Sequence, residues 1–120
     1  VVVVAPDHDA SGTGASLARI STDTAIAVTP SSISGFDGDV FGLAGPPAMC
    51  VVVAVNGAFG EPPELVVSGI NAGLNTGRST LHSGTVGAAL AAQNFGLRGL
   101  AVSQDQPGKG HWHTAAMLAA

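Results

Sequence analysis

The chain opens on Val1 to Ala5, an apolar run without polar alternation, which reads as a strand buried on both faces of a sheet. Comparable runs recur at Leu65 to Val67 and Gly99 to Val102, each followed by a polar loop rich in glycine, serine or aspartate. That is the pattern of parallel strands. Between them the sequence predicts helices at Pro46 to Val55, with its prolines in the first turn, at Thr85 to Phe95, stopped by Gly96, and starting at His113. The stretch Thr22 to Leu43 predicts two short strands joined by a loop, with alternation over Ala25 to Val28 and a Ser/Gly-rich break at Ser31 to Gly35. Strand and helix in alternation imply right-handed crossovers and an α/β three-layer, Rossmann-like sheet, mostly parallel. A doubly buried strand is rarely first in its sheet, and Thr114 to Ala120 breaks off inside a helical pattern. The expectation is therefore a single domain, 1–120, incomplete at both ends.

Composition narrows the classes. At 120 residues and 46% hydrophobic, the chain can build one core and hardly two. Eight acidic against four basic residues give a formal net charge of −4, with no Lys/Arg cluster, which disfavours a polymeric nucleic-acid partner. No apolar run approaches the roughly 18 residues of a membrane span. Cys50, alone in its chain and set in the apolar stretch Ala48 to Val55, reads as a buried small hydrophobe and fits a reducing, cytoplasmic setting.

In open α/β sheets ligands bind beyond the carboxyl ends of the strands. Three loops qualify: Pro6 to Ser16, Ser68 to Ser83 and Ser103 to Gly110. The segment Ser68 to Thr85 holds Asn71, Asn75 and many Gly, Ser and Thr residues, then passes through Ser83, Gly84 and Thr85 into an apolar helix. Free N–H groups and small residues at a helix start admit an anion. Ser83 or Thr85 could equally be an ordinary cap, but a connection this long between strand and helix exceeds the usual two to six or so residues and points to function. The loop Pro6 to Ser16 offers Asp7, His8, Asp9 and Ser11, oxygen donors that suit Mg²⁺, Mn²⁺ or Ca²⁺ better than zinc. Asp7 and Asp9 read equally as turn formers that bond their own backbone.

Other motifs fall away. Gly12 and Gly14 lack the third glycine of a dinucleotide fingerprint, since Leu17 stands there, and they come well after the strand rather than at a tight turn. No GxSxG elbow occurs, and His111 with His113 has neither Cys nor a third His nearby for zinc. Trp112 reads as a packing or lid residue.

VVVVAPDHDASGTGAS (Val1 to Ser16), GPPAMCV (Gly45 to Val51), LVVSGINAGLNTG (Leu65 to Gly77), LHSGTVGAAL (Leu81 to Leu90) and LAVSQD (Leu100 to Asp105), in this order, resemble the SurE family. That resemblance implies a metal-dependent phosphatase acting on nucleoside monophosphates, a 5′-nucleotidase. It implies Ser11 and Asn71 as ligands of one divalent ion per site, Asn75, Ser83, Gly84 and Thr85 as the phosphate pocket, and a homo-oligomer in the intact protein. The family begins one strand–helix unit earlier, on a strand ending in Asn-Asp-Asp-Gly that supplies two carboxylates and the base. This chain has no such motif, so no catalytic residue is assigned within it. The resemblance also departs at Ala10, where the family has Arg, and at Met49, where it has Asp. A non-catalytic phosphate- or nucleotide-binding module is the alternative, and a Rossmann-type cofactor binder a weaker one.

Overall fold

A computed structural model describes residues 1–23, 25–105 and 110–120. Strands β1 (Val2–Pro6), β2 (Val28–Ile33) and β3 (Phe36–Leu43) precede helix α1 (Pro47–Val55). Strand β4 (Leu65–Ala72), a 3-10 segment (Gly77–His82), α2 (Gly84–Asn94), β5 (Arg98–Gln104) and α3 (Trp112–Ala119) follow. The fold is α/β, as the apolar runs predict. Both pairings between strands distant in sequence are parallel, β1 with β3 and β4 with β5, while β2 and β3 form an antiparallel hairpin.

The hairpin corrects the expected break. Ser31, Ser32 and Ile33 lie within β2, and only Ser34 and Gly35 form the turn. Strand β2 is the sheet edge and is exposed throughout, so nothing requires it to alternate, and serines sit in it freely. Likewise Ser68 to Ala72 is strand rather than loop, and Gly77–His82 is helical.

Alpha helices α1 and α2 pack on each other through Ala48, Val51, Ala88, Ala91 and Ala92, with Val55, Val66 and Leu97 against them. Leu43, Met49 and Cys50 form a second cluster with Val4, Ile26, Val53 and Phe59. The layering shows at β5. A Cβ on Gly99 would lie 2.4 Å from the Ala89 carbonyl oxygen of α2. Its neighbour Leu100, on the other face by alternation, lines with residues 101–105 a hollow shared with Thr114, Ala115 and Leu118 of α3. The two helices therefore lie on opposite faces of the strand, which gives three layers.

Among the described residues no ladder joins the two sheets, β1–β3–β2 and β4–β5. Between the facing edges of β1 and β4 runs a slot of about 770 Å³, walled by Val2 and Val4, by Val66 and Ser68, and floored by Cys50 and Ala88. This corrects the expectation of a doubly buried first strand. Val2 to Val4 are only half-buried and Ala5 is exposed, because one edge of β1 has no neighbour among the described residues.

Cys50 faces this interior, and burial pushes its thiol up to about 11. A thiol pKa raised on folding contributes stability that is intact below the unfolded value of about 8.5 and lost as pH rises through the folded one. The urea midpoint is expected to stay flat below about pH 8 and to fall between about pH 9 and 11, with a shallower fall in Cys50→Ala. A fall of equal steepness in both proteins would contradict the burial account.

Candidate functional site

The loops after β1 and β4 meet at the start of α2. The Gly14 N–H donates to the His82 carbonyl at 3.0 Å, which ties the first loop to the residue before the helix cap. A Cβ on Gly87 would lie 2.2 Å from the Gly14 carbonyl oxygen, so only glycine lets the loop lie on the first turn of α2. At Gly84 an added Cβ would come 2.8 Å from Cγ of Pro47 and 3.6 Å from the Thr13 hydroxyl. Small residues thus bring three chain segments together here, at the carboxyl ends of β1, β3 and β4.

Ser83 caps α2: its Oγ accepts from the Val86 N–H at 3.2 Å, and its carbonyl accepts from the Gly87 N–H at 2.8 Å. The N–H groups of Gly84 and Thr85, in the first turn, are then the open donors of the helix start. Ser83 is buried, and its hydroxyl proton remains available for donation.

A bulge sets the end of β4. Ser68 pairs with Ala101, but the next partners are Asn71 and Ser103, so β4 carries one extra residue. Gly69 makes the bend at φ +96°, with the Val102 carbonyl oxygen 2.3 Å from where its Cβ would be. Val66 packs against the α1–α2 cluster, and strict alternation would send residue 71 to the opposite face. The extra residue cancels that flip and pairs Asn71 with Ser103, whose alternation from Gly99 gives it the α2 face.

The two asparagines are held differently. Asn71 Nδ2 donates to the Gly73 carbonyl at 2.8 Å; a carbonyl only accepts, so this bond fixes the amide and leaves Oδ1 as an acceptor. Asn75 Nδ2 lies 2.7 Å from Ser103 Oγ, a bond across 28 residues of sequence. In the first loop Asp9 Oδ1 accepts from both the N–H and the hydroxyl of Ser11, at 2.9 and 2.6 Å. Those bonds hold the Asp9 carboxyl below its ordinary pKa, the hydroxyl being the larger cause. Asp9 is therefore the turn former, while Asp7 pairs with His8 at 2.6 Å on the surface. Among the described residues no group of three or more His, Cys, Asp or Glu could hold a metal ion.

The model of the family described as Survival protein SurE matches residues 1–120. The chain belongs to the SurE family. It is 42% identical over 118 residues to a protein of Haemophilus influenzae (strain PittGG) named 5′-nucleotidase SurE, covering 98% of this chain and 43% of that protein. A Shigella dysenteriae relative named 5′/3′-nucleotidase SurE is 42% identical over 121 residues, covering 98% of this chain and 43% of its own length. The crystal structure of the SurE protein from Aquifex aeolicus superposes with a TM-score of 0.73 at 29% identity, covering 98% of this chain and 45% of that one. The chain thus spans less than half the length of these relatives.

Within this SurE chain Ser11 lies on the loop after β1, Asn71 near the end of β4, Asn75 on the loop beyond it, and Ser83 to Thr85 at the helix start. Met49 turns away from them into the core beside Leu43 and Cys50. Residues 106–109 of the third loop lie outside the described residues. Ser103 and Gly87 are positions of the site that no local motif marks. A serine at the carboxyl end of a parallel strand, and a glycine amid the alanines of a helix, were the signals that could have found them.

Gly87→Ala is expected to cost roughly 1–3 kcal/mol in urea unfolding, because the loop must move off the helix. An unchanged midpoint would show that the loop is not seated there.

Proposed function

We propose that this site binds the phosphate of a small phosphomonoester, a nucleoside monophosphate, and that the parent protein is a metal-dependent 5′-nucleotidase. The observation that carries the reading is the start of α2, where the capping hydroxyl of Ser83 stands beside the open N–H groups of Gly84 and Thr85. A phosphate offers only acceptors, and the helix start offers donors aligned with its dipole. Asn75 keeps a second Nδ2–H beyond the one directed at Ser103, and we assign that proton to the phosphate as well. The names of the relatives favour a nucleotide as the ester.

The donors within residues 1–120 do not by themselves fit a divalent ion. Ser11 Oγ and Asn71 Oδ1 are neutral, and neutral oxygens alone bind such ions weakly. We propose that one Mg²⁺, Mn²⁺ or Ca²⁺ is held where these oxygens meet carboxylates from outside residues 1–120. The present residues bind and orient the phosphate.

The slot between β1 and β4 supports a further strand as the source of those carboxylates. Among the described residues both edges lack a ladder, and the walls are largely apolar. The loops after β1 and β4 meet, so the two strands end on the same side, and a parallel strand between them would end there too. Met117 and Leu118 of α3, 66% and 86% exposed, suit burial against more of the protein or a second copy, in keeping with a homo-oligomer. No described helix is long and apolar enough to cross a membrane, and the buried free Cys50 fits a cytoplasmic setting.

A non-catalytic phosphate-binding module is the second reading, favoured by the absence of an acidic cluster among the described residues. Release of orthophosphate from nucleoside monophosphates by the full-length protein with Mg²⁺ or Mn²⁺ is the deciding measurement. Binding without turnover selects the module, and no binding at all sinks both readings. Ser83→Ala is expected to cost about 1 kcal/mol in stability through the lost cap and to weaken orthophosphate binding in calorimetry. In hydrogen exchange, slot-facing amides of β1 and β4 should exchange fast in residues 1–120 and slowly in the full-length protein. Equal rates in the two would remove the added strand.

A further inference from the structure

We infer that Ser103 is a positioning residue for phosphate binding, holding the Asn75 amide toward the start of α2. The inference rests on the phosphate reading above and adds to it a residue from β5.

Asn75 needs an external anchor. It lies in the stretch 73–76, outside any helix or strand, between Gly73 and Gly77, both at positive φ. Such a segment has many accessible backbone conformations, and a free asparagine on it would sample several rotamers. Among the described residues one side-chain bond reaches it from firm structure, the 2.7 Å contact of Nδ2 with Ser103 Oγ, partly buried.

Ser103 is well placed to act as that anchor. Its strand is fixed against β4 by the Asn71–Ser103 and Ala72–Gln104 pairs, and the Gly73 N–H donates to the Gln104 carbonyl at 3.0 Å. Gly99 meets Ala89 of α2, and Ser103 shares its face. From Gly99 to Ser103 the strand advances roughly 13 Å, whereas from Ala89 back to Gly84 the helix retreats only about 7.5 Å. Ser103 therefore stands just past the first turn of α2, on the side to which the helix N–H groups point. An amide fixed there can give one proton to Ser103 and its other to an anion in front of Gly84 and Thr85. A hydroxyl can accept this bond while donating its own proton onward, which an alanine cannot do.

The test uses the full-length protein with orthophosphate as the probe, in titration calorimetry and in NMR of the Asn75 side-chain amide. Ser103→Ala is expected to weaken orthophosphate binding roughly three- to tenfold, the worth of one neutral hydrogen bond. It should shift the Asn75 Nδ2 resonances and leave the melting temperature unchanged. Ser103→Thr, which keeps the hydroxyl, should restore both affinity and resonances. If the wild-type protein binds orthophosphate and Ser103→Ala binds it equally well, the role of Ser103 is overturned while the pocket stands. Failure of Ser103→Thr to rescue, or weakened binding matched by a lowered melting temperature, overturns it too. If the wild-type protein does not bind orthophosphate, the pocket reading falls and takes this inference with it.

Discussion

The contact of α1 with α2 is the interaction on which the rest depends. Among the described residues no backbone ladder runs from β1–β3–β2 to β4–β5, so the two sheets share an orientation through the helices laid across them. That contact is built from Ala48, Val51, Ala88, Ala91 and Ala92, side chains small enough for the helix backbones to come close. Its stabilisation is dispersion and apolar burial rather than directed bonding, and it tolerates added volume poorly. The same closeness sets the first turn of α2 beside Pro47 and Thr13, so the geometry of the site is inherited from the packing of the core.

Much of the architecture could be read from the residues, for identifiable reasons. Val1 to Ala5, Leu65 to Val67 and Gly99 to Val102 marked parallel strands because parallel strands are apolar along their length. Pro46 and Gly96 fixed helix ends because each removes a conformational choice. The misreadings have causes as well. Ser31 to Ile33 looked like a break because an exposed edge strand has no burial to impose a pattern. Ser68 to Ala72 reads as a loop because polar residues and glycine resemble coil, whereas the ladder to β5 continues through them by way of the bulge. The half-burial of Val2 to Val4 depends on which edges find neighbours, a property of the sheet and not of the segment.

The site divides in the same way. Ser83 to Thr85 could be found because a cap and a helix start are local events with local signatures. The Asn75–Ser103 bond spans 28 residues and could not, since no spacing rule links a loop asparagine to the end of a later strand. Gly87 was hidden for a related reason: its value lies in the Gly14 carbonyl that comes to rest on it.

The bulge at Gly69 divides β4 into two lengths of opposite phase. Before it, even-numbered positions answer to the helices; after it, odd-numbered ones do. The apolar code that seats the strand and the polar code that furnishes its end are thus indexed separately. Either can drift in evolution without rewriting the other, so long as one residue, free to take φ +96°, keeps the count between them.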